Sequence, residues 1–453
     1  MVAERPTLPV LQAALERPLF EDKSWRLSPN PWPLPPEVVS ELHAIGDACL
    51  GFHKALERLY LKSRSNDRLV RNDDLRAPWV AEYLDDGKPA WLVEHGSAKA
   101  VKGSVPSVLR PDLIATSDGF ALTEMDAVPG GIGLTSFLEE VYLREQAHDV
   151  PNAFFRAVSS MAGDCEDMAI VLVVSEESET YRPEMGWIAE TLRARGLEVR
   201  VSRPEDLQIS SDGVYLEGKK QHVVYRFWEL FDDQVPIMRE LAEAVGSGVV
   251  SVTPPMRTFQ EEKLSLALFW HHRLGQFWEE NLSPTDLNLL RKIIPPTWIL
   301  DPAELPPGAM LAGPTVGGSP ISSWHDLAKA SKKERELVVK ASGFHETAWG
   351  SRSVVIGSDA SGEEWTGAIE NALASFPRPI HVLQEFRKPA LLTHDVFEDS
   401  GEIAPMKGRL RLSPYYFVRD GKAGLSAALA TFCPADKKII HGMRDGVLLP
   451  CVF

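Results

Sequence analysis

Residues 169–174 read Ala-Ile-Val-Leu-Val-Val, an unbroken apolar and largely β-branched run. Such a run fits a strand covered on both faces, because a half-exposed strand would alternate with polar residues. A strand buried on both sides needs helices over it. Trp187, Ile188 and Leu192 suggest one, which Gly196 ends before the strand Leu197-Glu-Val-Arg-Val201. His222-Val-Val-Tyr-Arg226 adds a further strand. The pattern predicts a β-α-β unit within an α/β chain.

The 453 residues amount to roughly three domains at about 150 each. Hydrophobic residues at 44% and charged residues at 25% are globular values, which exclude a disordered or fibrous chain. With 48 basic against 64 acidic residues the net charge is −16, and such a surface disfavours phosphate backbones and anionic lipid. No nucleic-acid or membrane partner is therefore expected. No stretch approaches the ~20 apolar residues of a membrane span. The leading MVAERPTLPVLQAALERPLFEDK lacks the apolar core of a signal peptide. Cys49, Cys165, Cys433 and Cys451 are far apart and form no CxxC pair, which argues against a zinc site or a disulfide framework. A cytoplasmic location is the expectation.

The first hundred residues read as helical and loop-rich. Asn30-Pro-Trp-Pro-Leu-Pro-Pro36 leads into a helix from about Glu37, with apolar positions at Val38, Val39, Leu42, Ile45 and Leu50, and a second helix spans Phe52 to Leu61. After residue 131, Thr135 or Ser136 would cap a helix through Phe137, Leu138, Val141 and Tyr142. A strongly apolar helix is expected from about Thr258 to Trp278, then a proline-rich connector from Ile294 to Pro307. Strands are expected at Leu337–Ala341, Val354–Gly357, His381–Phe386 and Leu412–Val418.

Chemistry concentrates in Arg110-Pro-Asp112-Leu-Ile-Ala-Thr-Ser-Asp-Gly-Phe-Ala-Leu-Thr-Glu124-Met-Asp126. Two extended runs flank Asp118-Gly119, a hairpin signal. Residues i and i+2 share a strand face, so Arg110 goes with Asp112 and Glu124 with Asp126. A two-residue loop at Asp118-Gly119 would set Asp112 opposite Met125 and separate the acids. A three-residue loop, Ser117 to Gly119, would set Asp112 opposite Glu124 and Arg110 opposite Asp126. Three carboxylates on one face repel unless a cation sits among them, and Mg²⁺ is held by a few carboxylates plus substrate phosphates. The competing interpretation is a surface hairpin with solvated charges. Against it, Phe120 and Leu122 share the face, and Val128-Pro-Gly-Gly-Ile-Gly133 follows as a flexible, donor-rich loop.

The pattern RPDL…DGFALTEMDAVPGGIG resembles the metal-binding hairpin of the glutathionylspermidine synthetase-like, circularly permuted ATP-grasp proteins. Later segments follow in a consistent order over about residues 107–420. Residues 169–203 resemble the pre-ATP-grasp-type unit, and Tyr225-Arg226-Phe-Trp-Glu229 its arginine-bearing strand. Glu261-Glu262-Lys263 is similar to the head of the lysine-bearing apolar helix, Leu337-Val-Val-Lys340 to the strand whose lysine reaches phosphates, and Val382-Leu-Gln384-Glu385-Phe386 to the hinge beside the adenine. Three departures stand out. Asp126 replaces the usual Asn, Glu261-Glu262 precede Lys263, and an unusual Ala341–Arg352 segment follows Lys340.

The resemblance implies an ATP-grasp fold in permuted order: a helical region at 1–105, a metal hairpin part at 106–165, a Rossmann-like insert at 166–255 and a nucleotide-clamping part at 256–453. It implies a ligase forming an amide through an acylphosphate, using ATP and Mg²⁺. Small-molecule carboxylate and amine substrates of peptide-like or polyamine kind are implied as well. Asp112, Glu124 and Asp126 would hold the metal. Lys263, Lys340, Gln384, Glu385, Phe386 and, more loosely, Arg411 would bind nucleotide, and Arg110 would stabilise the transferring phosphoryl group.

Other features weigh less. Gly343 and Gly350 bracket a loop able to cover phosphates, with Ser351 and Arg352 as added donors. His271-His272, His345 and His441 lack ligand spacing, and Trp228, Trp270, Trp278 and Trp298 read as core or interface anchors. Lys437-Lys438 to Arg444 forms a small basic cluster. No GxSxG, HExxH or kinase HRD/DFG signature is present. The alternatives are a non-catalytic binding or interaction protein on the same fold, and a nucleotide-sugar or dinucleotide enzyme built on 169–203. The latter is disfavoured by Ser-Glu-Glu-Ser-Glu after Val174, where pyrophosphate would need glycines.

Overall fold

The computed structural model describes residues 6–453 apart from 18, 20–24, 164, 233–234, 349, 351, 438 and 441–445. The apolar run forms the strand Ala169–Val174, the second position from one edge of a four-stranded parallel sheet. Its neighbours in order are Ser251–Thr253, Val223–Phe227, Ala169–Val174 and Glu198–Ser202. Ile170, Leu172 and Val174 enter one hydrophobic cluster, while Val171 and Val173 enter another. That alternation between two cores is the physical content of a strand covered on both faces. Helix Arg182–Ala194 makes the crossover, and Gly196 at φ +82° turns the chain out of it.

Among the described residues a seven-stranded sheet forms the centre of the molecule. Its path runs Trp32–Pro33, Val447–Val452, Lys422–Pro434, Ile403–Arg419, Val108–Thr116 and Gly119–Asp126, with Leu392–Phe397 also on Ile403–Arg419. All pairings are antiparallel except that of Trp32–Pro33. The adjacent Tyr415 and Tyr416 show how both faces are covered. Tyr415 Oη donates to Gly130 O at 2.8 Å, beside the start of helix Ile132–Leu143. Tyr416 Oη donates to Leu42 O at 2.6 Å in helix Pro36–Arg64. A Cβ on Gly46 would lie 2.5 Å from the Tyr416 ring, so glycine lets this helix lie flat on the sheet.

A third sheet is antiparallel, in the order Thr297–Ile299, His381–Glu385, Leu337–Ala341 and Val355–Ile356. Helix Gly362–Ser375, started by a capping box between Ser361 and Glu364, covers one face. Leu337, Val339 and Leu383 join Trp365, Ile369 and Leu373 in that helix's core. The alternating positions Val338, Lys340 and Gln384 therefore face the other way, toward the hairpin.

Several sequence expectations are corrected. The two helices expected around residues 37–61 are one, Pro36–Arg64, because Gly51 adds no backbone break within a continuously buried face. The long helix expected from Thr258 to Trp278 is interrupted. A short turn at Thr258–Glu261 is followed by Leu264–Trp270, and His271 adopts extended backbone before Gly275–Asn281. Trp278 Nε1 donates to Leu268 O at 3.1 Å across that break. The strand expected at Leu412–Val418 is the last part of Ile403–Arg419. The strands from Leu392 onward also return to the central sheet, so the segment 256–453 divides between the third sheet, the central sheet and a two-stranded pair at Thr315–Val316 and Ser319–Pro320. No helix among the described residues is long and apolar enough to cross a membrane.

Candidate functional site

The hairpin pairs Arg110 with Asp126 and Asp112 with Glu124, the arrangement expected from the longer loop, but it gets there differently. Thr116 pairs with Gly119, so the loop is the two residues Ser117 and Asp118, with Gly119 at φ +130°. That loop alone would place Asp112 opposite Thr123. A bulge restores the register: Leu113 pairs with Leu122, Asp112 with Glu124, and Thr123 is the extra residue. Thr123 Oγ1 donates to Asp112 O at 3.2 Å, while its own carbonyl accepts from Lys340 Nζ at 2.8 Å. Re-aiming one carbonyl is a normal consequence of a bulge, and here it aims at the lysine of the facing sheet.

Lys340 also donates to Gln384 Oε1 at 2.8 Å, and Gln384 Nε2 donates to Thr297 Oγ1 at 2.9 Å. Burial pulls the Lys340 pKa down to about 8, against the pull of Glu124. Lys263, at the head of its short helix, reaches Glu124 Oε1 at 2.6 Å and Ala348 O at 2.7 Å. Burial would lower its pKa, but Glu124, Glu229 and Asp126 keep it above the ordinary lysine value.

The carboxylates differ. Asp112 is 7% exposed. It accepts from Ser413 Oγ at 3.0 Å and Arg411 Nη1 at 3.1 Å, and stands 3.5 Å from Arg110 Nε. Burial opposes its ionisation, yet Arg411 and Arg110 hold its pKa below the usual carboxylate range. Asp126 accepts from Arg110 Nη2 at 2.6 Å and from Val128 N at 2.9 Å. Burial, with Glu124 and Asp112 nearby, raises its pKa despite Arg110. Burial and Glu261 raise Glu229 well above its ordinary value.

A cavity of about 150 Å³ collects Asp112, Glu124, Lys263, Lys340, Gln384, Glu385, Phe386 and Arg411, eight of the ten residues singled out in the sequence. Val338, Ile356 and Ile440 give it an apolar wall. Arg110 and Asp126 do not line it. They sit behind the hairpin's inner end, where Arg110 Nη1 donates to Gly130 O at 3.0 Å. Among the described residues no three acidic, His or Cys side chains form a ready metal cage. A Mg²⁺ that keeps several waters needs only one or two carboxylates plus phosphates. Asp112 and Glu124, cross-strand neighbours on the cavity, fit that need. The buried Arg411 Nε–H has no hydrogen-bond partner among the described residues, which suits a cavity built for an anion.

The glycine loop after the hairpin is not an open ligand cradle. Glu184 accepts from Gly131 N at 2.7 Å and Leu134 N at 3.2 Å, so a carboxylate from another helix serves the helix start in place of Thr135 or Ser136. Tyr181 lies over Gly130, and Tyr415 Oη lies 2.6 Å from where a Cβ on Gly131 would be. His271 and His272 stack at 4.8 Å, and Trp228 and Trp278 are fully buried anchors. Ser351, His441 and the Lys438 and 441–445 portions of the basic cluster lie outside the described residues.

No protein-family model matches the chain, and no curated protein matches it. Among solved structures, a glutathione synthetase-like effector from Globodera pallida, in apo form, aligns with a TM-score of 0.57 at 13% identity. The alignment covers 98% of this chain and 95% of that one. The chain has a glutathione synthetase-like fold. A second structure, provisionally assigned as gamma-glutamylcysteine synthetase from Methylobacillus flagellatus KT, has a TM-score of 0.44 at 13% identity over 88% of this chain and 87% of that one. The glutathione synthetase-like fold agrees with the sequence resemblance at that coarse level.

Sequence reasoning missed Thr123, Ser413 and Thr297, each of which orients a site residue. A bulge carries no composition signal, and Ser413 and Thr297 reach the site only through strand pairing. A larger cavity of about 480 Å³ lies beyond Glu262, between Lys88, Phe231, Phe344 and Arg378.

Proposed function

We propose that the protein is an ATP- and Mg²⁺-dependent carboxylate–amine ligase of the ATP-grasp kind, in the permuted order of glutathionylspermidine synthetase-like proteins. One observation carries this reading: two buried lysines face Asp112 and Glu124 across a single cavity floored by Gln384, Glu385 and Phe386. Lys263 and Lys340 come from separate elements and would meet the phosphates. The apolar wall of Val338, Ile356 and Ile440 suits an adenine ring, and Arg411 has an N–H to spare. Asp112 and Glu124 would hold Mg²⁺, which would offset phosphate charge. Arg110 would act from behind the hairpin, keeping Asp112 ionised, while Asp126 would hold the Arg110 guanidinium in place. The larger cavity beyond Glu262 would seat the acid and amine. The substrate carboxylate would attack the γ-phosphorus, ADP would leave, and the amine would then displace phosphate from the acylphosphate. Positioning and electrostatics are the protein's main contribution to such a step.

Calorimetric titration of Mg·ATP into wild type and Glu124→Ala tests the reading. Glu124 is 37% exposed at its side chain, so the variant should fold. Its affinity should fall at least about tenfold, as expected for a metal-holding group. Equal affinity in a folded variant refutes the ligand role.

A second reading, a non-catalytic binding protein, is favoured by the mutual pairing of the site's own charges: Lys263 with Glu124, Arg110 with Asp126 and Arg411 with Asp112. Phosphate release from ATP in the presence of an acid and an amine separates the two.

A further inference from the structure

Three consecutive charged residues tie together four parts of the molecule. Glu261 pairs with the fully buried Arg226 of the parallel sheet. Glu262 pairs with Lys88, which follows helix Pro78–Asp85 in the N-terminal region, at 2.6 Å with side chains 6% and 2% exposed. Lys263 pairs with Glu124 of the hairpin. The fourth part enters through Ser342, two residues past Lys340. Ser342 Oγ donates to Glu262 Oε2 and accepts from Leu264 N at 2.8 Å, while Ser342 O accepts from Lys263 N at 3.1 Å. A Cβ on Gly343 would meet Glu261 O at 2.6 Å, so the two backbones lie as close as they can.

We propose that Lys88 is a positioning residue for the nucleotide site: by neutralising Glu262 it holds that carboxylate on Ser342, and so fixes Lys263 relative to Lys340. The inference rests on the nucleotide reading above, but concerns a residue outside the nucleotide cavity and outside every motif in the resemblance. A buried carboxylate stays in place only while its charge is paired and its oxygens are hydrogen-bonded. Glu262 has one partner on each oxygen. Removing Lys88 leaves an unpaired anion beside the backbone that sets Lys263, and the anion would turn toward the larger cavity and its water. Ser342 would then lose its acceptor, and both hydrogen bonds that register the lysine-bearing segment against the Lys340 strand would loosen. Lys88 Nζ also lies 5.8 Å from the centre of the Phe344 ring, so the same ammonium touches the loop that follows Ser342.

The test compares wild type, Lys88→Met and the double variant Lys88→Met/Glu262→Gln, with ATP in Mg²⁺ and adenosine as probes. Wild type must first bind Mg·ATP, and failure there rejects the nucleotide reading itself. If wild type binds, Lys88→Met should lose about tenfold or more in affinity for ATP. Adenosine binding, which does not engage Lys263, should stay unchanged. The double variant removes the lone buried charge, so it should recover wild-type thermal stability. It should also restore part of the ATP affinity, because the neutral amide introduced by Glu262→Gln can still accept from Ser342. Wild-type ATP affinity in folded Lys88→Met overturns the proposal, as does a parallel loss for ATP and adenosine. Should the single variant fail to fold, a partial loss for ATP with unchanged adenosine binding in the folded double variant supports the proposal, and wild-type ATP affinity there, or equal loss for both probes, overturns it.

Discussion

Lys340 offers the sharpest quantitative test. Its residue is 6% exposed, and burial moves its pKa from 10.5 to about 8. In the unfolded chain a lysine keeps its proton up to about 10.4. Between these two values the unfolded state holds more protons than the folded state, so stability rises with pH. Integrated from pH 7 to pH 10, this one group adds about 2.5 kcal/mol. Lys340→Met removes the titration while keeping an unbranched apolar stem. Urea denaturation of both proteins across that range should give a wild-type-minus-variant difference that grows with pH by roughly this amount. Groups that titrate in both proteins cancel in the difference. Nucleotide affinity should move in the opposite direction. On the proposed reading Lys340 meets phosphate as an ammonium, which is lost above about pH 8, so ATP binding should weaken by up to about tenfold per pH unit there. A stability difference that is flat from pH 7 to 10 refutes the buried, charge-destabilised lysine.

Other expected outcomes follow from the same geometry. Gly131 has φ +86° and no room for a Cβ beside Tyr415, so Gly131→Ala should cost about 2–4 kcal/mol in urea melts. Arg257 is fully buried and pairs with Glu57 at 2.8 Å; Arg257→Met strands that carboxylate and should cost about 3–5 kcal/mol. Asp112 has its pKa depressed in the folded state, so its stabilisation is complete above the unfolded value and lost as pH falls through the folded one. Ser413→Ala removes one donor from it and should move the acid-unfolding midpoint to higher pH, with a loss of about 1 kcal/mol near neutrality.

Local pattern was enough for much of this molecule. Ala169–Val174 fitted a strand covered on both faces, and the apolar run ending at Lys340 fitted a strand from whose edge the ammonium would emerge. Asp118-Gly119 between two extended runs announced a hairpin, while eight of the ten residues that the family resemblance, rather than local pattern, singled out meet in one cavity. What local pattern could not supply was anything set by contacts distant in sequence. The bulge at Thr123 is specified by the pull of Asp112 and Lys340, and Lys340 is 217 residues away. The helix expected to run unbroken to Trp278 breaks where that ring needs the Leu268 carbonyl. The strands after residue 391 leave the Lys340 sheet for the hairpin sheet, and so bring Arg411 and Ser413 to Asp112. Periodicity reports which face of an element is apolar. Only packing decides which other element covers it, and a buried charge takes its pKa, partner and use from that choice.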